Sequence, residues 1–207
     1  MTCHKKSPLR SLRTGAAIRP SPVPSLALAC ISCYNTLKSE GDFVDNIVLI
    51  GMPGSGKSTV GVLLAKTLGY GFIDTDLILQ QREGALLQEI LDTRGVEAFL
   101  DAECAALCGL SCTKTVIAPG GSAVCRRSAM EHLRAMGRVI YLRLPPEALG
   151  ARLSNMSTRG IAMAPGETLE AVYARRCPLY EAYADAVVDC GGQTLEETVA
   201  AVLKAVV

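Results

Sequence analysis

The segment Gly51–Thr59, GMPGSGKST, constrains the fold of this chain more than any other part of its sequence. It satisfies the pattern G-x-x-x-x-G-K-[ST] and follows a short apolar run at 47–50. A stretch with apolar residues at helical spacing comes next and ends at Gly69, a residue type that favours helix ends. A strand, a glycine-rich loop and a helix in this order predict a phosphate-binding loop at the opening of an α/β nucleotide-binding unit.

Each residue type in this loop has a physical task. Gly54 and Gly56 allow a turn tight enough to aim successive backbone N–H groups at one phosphate. Lys57 is predicted to contact the β- and γ-phosphates of ATP, and the Ser58 hydroxyl is predicted to ligate Mg²⁺. The predicted nucleotide-binding residues of the loop are Gly51, Gly54, Ser55, Gly56, Lys57, Ser58 and Thr59.

Short strands and helices alternate along the rest of the chain. Further strands are predicted at 72–73, 116–118, 138–144 and 187–188, and helices at 60–68, 129–136, 146–153 and 194–207, with a helical stretch broken at Gly84 and Gly95 that reaches about Cys108. Thr194 and Glu197 have the spacing of a capping box. This alternation predicts a three-layer α/β fold: a parallel five-stranded sheet with helices on both faces and ligands at the carboxyl ends of the strands.

Two carboxylates, Asp74 and Asp76, follow the second predicted strand in the segment FIDTD. On an extended strand end, residues two apart point to the same side. Asp74 is therefore predicted to hold Mg²⁺ through water, and Asp76 to orient an acceptor hydroxyl and take its proton. The alternative is that one of them only caps the helix that follows.

A phosphate-binding loop alone is compatible with a switch GTPase, a motor ATPase or a metabolite kinase. The guanine-reading sequence N-K-x-D is absent from the chain, which counts against a GTPase. Residues 40–207 contain 15 basic and 20 acidic residues and carry a net charge of −5, which counts against a nucleic-acid partner.

Residues 1–45 differ from the rest of the chain: up to residue 39 they contain six basic and no acidic residues, with prolines at 20, 22 and 24. Their apolar run of about eight residues is too short to cross a bilayer. We expect a poorly ordered extension, such as one from a start codon assigned too early; organelle import and export are the alternatives.

Residues 46–207 are predicted to form one cytoplasmic, monomeric domain that binds small molecules and neither membrane nor nucleic acid.

The nine cysteines are scattered and odd in number, which is typical of reduced thiols. Cys104, Cys108 and Cys112 repeat every four residues, a spacing that predicts a buried helix face. Cys30 and Cys33 form a lone CxxC without a second pair, so we do not predict a metal or redox site there.

The motifs occur in an order that resembles the shikimate kinase family across residues 47–190. The segments that carry the resemblance are GMPGSGKST, FIDTD, APGGSAV at 118–124, Arg159, and RCPLY at 176–180. The resemblance implies a P-loop kinase fold, with ATP and Mg²⁺ as the nucleotide and its metal.

Residue by residue, the resemblance also implies an acceptor site. Asp74 matches the aspartate on the metal side and Asp76 the aspartate on the substrate side. Gly120 and Gly121 match the glycine run whose backbone contacts the acceptor, and Arg176 matches the arginine that pairs with the shikimate carboxylate.

The resemblance places a mobile lid at about 155–166, flanked by Gly160 and Gly166, which can act as hinges. Arg159 matches the lid arginine that reaches the transferring phosphates, and Arg152 matches an arginine that stacks on adenine.

The chain departs from the family pattern near the acceptor. Leu100 stands where the family has a second arginine for the substrate carboxylate, although Glu103 still matches the glutamate that follows. Losing such a charge-assisted hydrogen bond weakens binding by about 10- to 150-fold. Ser122 replaces a third glycine, and Arg159-Gly160 replaces Arg-Pro in the lid.

Three functions are consistent with the sequence. The first is the phosphorylation of shikimate to shikimate 3-phosphate in aromatic amino-acid biosynthesis. The second is a kinase of the same fold with another small hydroxyl acceptor. The third is a non-catalytic ATP-binding regulatory module, against which the presence of Lys57, Ser58, Asp74 and Asp76 counts.

Overall fold

The structure is a computed structural model that describes residues 46–153, 160–164 and 166–206. The predicted extension at 1–45, with its CxxC pair, lies outside the described residues. So does much of the predicted lid, including Arg159.

Strands and helices alternate along the described chain, as the sequence predicts. The strands are β1 (Asn46–Ile50), β2 (Gly71–Asp74), β3 (Thr115–Ala118), β4 (Arg138–Arg143) and β5 (Ala186–Asp189). The helices are α1 (Lys57–Leu68), α2 (Thr75–Glu83), α3 (Leu87–Cys108), α4 (Arg127–Met136), α5 (Pro146–Leu153), α6 (Leu169–Tyr183) and α7 (Leu195–Val206). A 3₁₀ turn at Ala123–Cys125 precedes α4.

The strands form one parallel five-stranded sheet in the order β2-β3-β1-β4-β5, which confirms the predicted sheet. β1 lies at the centre and pairs with both β3 and β4. Because all pairs are parallel, the carboxyl ends of β1, β2 and β3 meet at one edge of the sheet. The loops that leave these three strands therefore come together, and they carry most of the predicted site residues.

Buried apolar residues on both faces hold the sheet in place. Every residue of β1 is buried, and so are the four central residues of β4. Fully buried strands of this kind are typical of parallel sheets covered by helices on both faces. α1 and α7 contact each other, whereas α4 and α6 both contact β4. The predicted capping box starts α7: Glu197 accepts from the backbone of Thr194, and Thr194 accepts from the backbone of Glu197.

A second, smaller apolar cluster packs around α2 and α3, beside the carboxyl edge of the sheet. It contains Leu79, Leu87, Ile90, Leu91, Phe99, Leu100, Ala106 and Ala162. Gly84 ends α2 in a left-handed conformation, and Gly95 bends α3 with a φ of 78°, so both predicted breaks are confirmed. Ala162, in the described part of the predicted lid segment, connects that segment to this cluster.

We did not predict the helix α6 from the sequence. Its buried residues are Val172, Arg176 and Tyr180, so an apolar stripe is lacking, and Pro178 lies within it. A usable signal was Thr168, which caps the helix by accepting a hydrogen bond from the backbone of Ala171.

The predicted buried stripe of cysteines is wrong. α3 ends at Cys108, which is exposed, and Cys112 lies beyond the helix in the loop before β3. Gly109 ends the helix before the four-residue repeat is complete.

In the described ranges, none of the helices combines the length and the apolar character that crossing a bilayer requires.

Candidate active site

The phosphate-binding loop joins β1 to α1 in the predicted arrangement. Gly51, Gly54 and Gly56 have φ values of 149°, 81° and 98°, which residues with a side chain rarely adopt. The loop closes on itself through a hydrogen bond of 3.1 Å from the Ser55 N–H to the Met52 carbonyl. Because α1 begins at Lys57, its free N–H groups face the loop and form a site suited to an anion.

The ammonium group of Lys57 lies inside this loop. It donates hydrogen bonds of 2.9 Å to the carbonyls of Gly51 and Met52, and the side chain is buried. Burial lowers the pKa of Lys57 to about 8, against the opposing charges of Asp76, Asp74 and Glu103. The loop therefore holds a cation that a negatively charged ligand would stabilise.

Ser58 and Asp74 meet in the position expected of a metal site. The Ser58 hydroxyl donates a hydrogen bond of 2.7 Å to one Asp74 oxygen. Hydroxyl and carboxylate oxygens are the ligands that Mg²⁺ prefers, and it completes its shell with water and substrate phosphates. The oxygen atoms present thus fit Mg²⁺.

The structure corrects the reason given for the pairing of Asp74 and Asp76. β2 ends at Asp74, and Asp76 lies in the first turn of α2, so strand alternation does not align them. Asp74 caps the helix by accepting a hydrogen bond of 3.1 Å from the Asp76 N–H. Asp74 therefore caps the helix, but capping is not its only contact, because the same side chain also accepts from Ser58.

A cavity of about 280 Å³ joins the loop to the ends of β2 and β3. The predicted site residues that line it are Gly54, Gly56, Lys57, Ser58, Thr59, Asp74, Asp76, Gly120, Gly121, Arg152 and Arg176. Residues of the phosphate-binding loop and Arg176, which are far apart in the sequence, thus line the same cavity.

Gly51 and Ser55, which we predicted to bind the nucleotide, do not line this cavity. They lie on the side of the loop that faces β4, where a Cβ on Gly51 would come within 2.7 Å of the Leu142 carbonyl and 2.9 Å of the Ser55 hydroxyl.

Arg152 is exposed and donates a hydrogen bond of 3.4 Å to the Gly54 carbonyl, so its side chain crosses the edge of the loop.

Gly120 and Gly121 are required by close packing. A Cβ on Gly120 would lie 2.1 Å from a Glu103 oxygen and 2.8 Å from an Asp76 oxygen. A Cβ on Gly121 would lie 2.5 Å from the Pro53 ring. The two glycines therefore let the loop after β3 approach two carboxyl groups and the phosphate-binding loop at once.

Arg176 reaches the same cavity from α6 and is only 1% exposed. It donates a hydrogen bond of 3.3 Å to the Gly121 carbonyl and another to the Ala162 carbonyl. Its Nε is buried and has no hydrogen-bond partner. The guanidinium therefore retains a donor for an anionic ligand.

Glu103 also lines the cavity. From the sequence we had noted only that it matches a glutamate of the shikimate kinase family, and we had given it no role in the site. It is 3% exposed, and neither of its oxygens has a hydrogen-bond partner. Burial raises the pKa of Glu103 to about 7. The nearby Ser122 hydroxyl opposes this shift without reaching hydrogen-bond geometry. Only the tertiary structure reveals this burial, so the sequence offered no signal for it.

Leu100 occupies the second apolar cluster and is 4% exposed. It does not line the cavity, although the preceding residue, Phe99, does. Gly160 packs against the start of α3, where a Cβ would come within 2.8 Å of the Leu87 Cβ. The described end of the lid segment thus lies over the same apolar cluster.

Comparison with known proteins finds similarity over most of the described residues. A family model described as shikimate kinase matches residues 53–207. The shikimate kinase of Thiobacillus denitrificans is 38% identical over 154 residues, which cover 73% of this chain and 84% of that protein. The shikimate kinase of Pseudomonas aeruginosa is 42% identical over 147 residues, which cover 70% of this chain and 86% of that protein.

Solved structures show the same similarity. The shikimate kinase of Acinetobacter baumannii in complex with shikimate superposes with a TM-score of 0.73 at 28% identity. The match covers 83% of this chain and 95% of that one. The shikimate kinase of Aquifex aeolicus superposes with a TM-score of 0.65, also at 28% identity, and covers 77% and 95% of the two chains.

Proposed function

The chain belongs to the shikimate kinase family and is an ATP-dependent kinase of a hydroxyl group, and we propose that its acceptor is shikimate. The product is shikimate 3-phosphate, an intermediate of aromatic amino-acid biosynthesis. We further propose that the enzyme acts as a monomer in the cytoplasm.

One observation carries the choice of acceptor. The phosphate-binding Lys57, Asp76 and the buried guanidinium of Arg176 all line a single cavity. A small acceptor that carries a carboxylate and a hydroxyl group fits this combination of charges. Its carboxylate pairs with Arg176 while its hydroxyl lies beside Asp76.

The nucleotide end binds the phosphates of ATP. Backbone N–H groups of the loop and the start of α1 bind the phosphate oxygens, and Lys57 exchanges its two carbonyl partners for the β- and γ-phosphates. Ser58 and Asp74 would hold Mg²⁺, which when bound would neutralise charge on the transferring phosphoryl group.

Asp76 aligns the acceptor hydroxyl for in-line attack and accepts its proton. The hydroxyl oxygen forms a bond to the γ-phosphorus while the bond from the γ-phosphorus to the β,γ-bridging oxygen breaks, so ADP leaves. The backbone of Gly120 and Gly121 supports the acceptor. Arg176 binds the acceptor carboxylate and thereby fixes which hydroxyl reaches Asp76.

Two further arginines act at the nucleotide end. Arg152 covers the adenine side of the loop, where it already contacts the Gly54 carbonyl. Arg159 lies outside the described residues, and we propose from the resemblance alone that it stabilises charge on the transferring phosphoryl group.

A coupled assay of ADP release by the full chain tests this function. With Mg²⁺ and ATP present, shikimate is compared with gluconate, homoserine, threonine, inositols and nucleoside monophosphates. Saturable ADP release with shikimate, and phosphate found on its 3-hydroxyl, supports the proposal. Release with another compound and none with shikimate contradicts it.

Leu100 favours the second candidate, a kinase of the same family with another small hydroxyl acceptor. It is an apolar, buried residue on α3 at the place where the resemblance predicts a second arginine for the carboxylate. The variant Leu100→Arg separates the two candidates. Unchanged use of shikimate in the parent and the variant makes Leu100 a tolerated change, whereas activity that requires the arginine shows that the parent acts on a different acceptor.

A further inference from the structure

The backbone carbonyls in the loop after β3 have two kinds of partner. The Gly120 carbonyl accepts a hydrogen bond of 3.2 Å from the Ala123 N–H, and the Ser122 carbonyl accepts one of 2.8 Å from the Cys125 N–H. The carbonyl of Gly121, which lies between them in the chain, accepts hydrogen bonds from two side chains of α6. Because buried carbonyls need partners, α6 helps to hold this loop in place.

The two donors are Arg176 and Tyr180, which lie four residues apart on the buried face of α6. The Tyr180 hydroxyl donates a hydrogen bond of 2.5 Å to the Gly121 carbonyl. Arg176 donates to the same oxygen over 3.3 Å, which is beyond the usual N–H···O range. Tyr180 is therefore the main anchor of this carbonyl, and it shares the carbonyl with the arginine that borders the cavity.

The Tyr180 hydroxyl also lies where the loop after β3 touches the phosphate-binding loop. It is 3.8 Å from the sulfur of Met52. A Cβ on Gly121 would come within 2.5 Å of the ring of Pro53, the residue that follows Met52. The Met52 carbonyl in turn accepts a hydrogen bond of 2.9 Å from Lys57. One buried hydroxyl thus contacts both the segment that holds the phosphate-binding lysine and the segment that borders the acceptor.

Packing of the aromatic ring does not account for this hydroxyl. The ring of Tyr180 stacks on the ring of Tyr141, with centroids 5.0 Å apart and 23° between the ring planes. A phenylalanine would keep that stacking, whereas a buried hydroxyl is costly unless it has a partner. Burial raises the pKa of Tyr180 well above its usual value near 10, so the group stays a proton donor throughout the neutral range.

We propose that Tyr180 is a positioning residue for phosphoryl transfer. Through the Gly121 carbonyl, its hydroxyl fixes the loop after β3 and Arg176 against the phosphate-binding loop, so that the acceptor meets the γ-phosphate in line. Tyr180 is absent from the described residues that line the cavity, so it acts through these neighbours. The inference rests on the proposed function, because it concerns transfer to the acceptor named there.

Tyr180→Phe in the full chain removes the hydroxyl and keeps the ring. We expect kcat/KM for shikimate to fall by about 10-fold, for the loss of one hydrogen bond, to about 100-fold, for a misplacement of about 1 Å. The KM for ATP should stay close to that of the parent, because Lys57 keeps its contacts within the phosphate-binding loop. Steady-state kinetics of ADP release, with each substrate varied in turn, measure these constants.

Tyr141→Phe is the matched control, since it removes a buried hydroxyl from the other ring of the stacked pair. That hydroxyl lies 3.5 Å from the sulfur of Cys177, which is absent from the described residues lining the cavity. A merely structural hydroxyl would affect the free energy of unfolding and leave the kinetic constants of the folded enzyme unchanged. Parental kinetics in Tyr180→Phe, or equal falls in kcat/KM in both variants, overturn the proposal.

A double-mutant cycle with Arg176→Lys tests the route through the shared carbonyl. Because both side chains hold one oxygen atom, the double variant should lose less kcat/KM than the product of the two single losses. Losses that simply multiply overturn this route. Failure of the proposed function is distinguishable, because the parent would then not use shikimate, and the same constants would be measured with the compound of the panel that it does use.

Discussion

The nucleotide end and the acceptor end of the cavity are built in opposite ways. The nucleotide end comes mainly from one continuous segment, and its two main polar side chains have partners within the protein: Lys57 contacts loop carbonyls, and Ser58 contacts Asp74 at the end of β2. The acceptor end comes from β3, α3 and α6, and it keeps buried polar atoms without partners on Glu103 and Arg176.

This difference separates what is general from what is specific in the site. A loop whose lysine is already held by its own carbonyls is organised before ATP arrives and suits any kinase that uses ATP. Unsatisfied atoms at the acceptor end are paired only when the correct ligand binds, and a site with such atoms rejects ligands that lack matching groups. We therefore expect the acceptor end to determine which acceptor is used.

The largest effect is expected at the nucleotide end. Lys57→Met removes the cation that stabilises charge on the transferring phosphoryl group, so kcat should fall by about 10²- to 10³-fold. The acceptor's KM should change little, because Lys57 belongs to the other end of the cavity. Steady-state kinetics of ADP release measure both, with Lys66→Met, an exposed lysine of the same helix, as control. Retained turnover in Lys57→Met would contradict the role of the loop.

Gly120→Ala should disturb the geometry of the acceptor end and leave the phosphate-binding loop unchanged. Its Cβ would displace the carboxyl groups of Glu103 and Asp76, and a misplacement of about 1 Å can lower catalysis by about 10²-fold. We expect such a fall in kcat/KM for the acceptor. Gly150→Ala is the control, because no atom lies within 4 Å of its added Cβ. Similar kinetics in both variants would refute the close packing described at Gly120.

Arg176→Lys sharpens the comparison, because it keeps the charge but removes the planar guanidinium and its unpartnered Nε. The KM for shikimate should rise by about 10- to 150-fold, while the KM for ATP stays close to that of the parent. Varying each substrate in turn measures the two constants. The exposed neighbour Arg175→Lys serves as control. An increase confined to the KM for ATP would place Arg176 at the wrong end of the cavity.

The smallest effect concerns stability and its dependence on pH. Folding raises the pKa of Glu103 from its usual value near 4.5 to about 7, so the folded chain holds this proton over a range in which the unfolded chain has released it. The free energy of unfolding therefore falls as pH rises from about 4.5 to 7, and the loss persists above pH 7.

Glu103→Gln removes this effect. Relative to the parent, the variant should gain at least about 1.4 kcal/mol of stability between pH 5 and pH 8, the equivalent of one pKa unit. Denaturant unfolding at the two pH values measures the gain, with Asp92→Asn, which changes an exposed carboxylate on the same helix, as the control. A parent and a variant whose stabilities differ by the same amount at both pH values would contradict the raised pKa.

The succession of strands along the chain and the phosphate-binding loop were predictable, because their signals are local. Gly51 and Gly69 mark the ends of a strand and a helix, and short apolar runs mark the buried strands of a parallel sheet. The helix α6 was not predictable in this way, since it buries Arg176 and contains Pro178. Tertiary contacts hold this helix against the loop after β3, since Arg176 and Tyr180 both donate to the Gly121 carbonyl.

The candidate site was predictable in its members but not in its geometry. Asp74 and Asp76 were identified correctly as a pair that borders one cavity, yet a strand-to-helix turn brings them together. Arg176 was identified from its motif alone, because sequence physics gives no reason to bury an arginine in a helix. The roles of the site residues remain predictions until the variants are measured.

The sequence by itself determined the nucleotide end of this protein, since a contiguous loop needs only its glycines, one lysine and the helix that follows. Only the tertiary structure decided the acceptor end. There the ends of strands and helices far apart in the chain exclude water from Glu103 and Arg176. Burial without partners is a property of the assembled fold and of no single segment, and it is the reason why we expect these side chains to select the ligand.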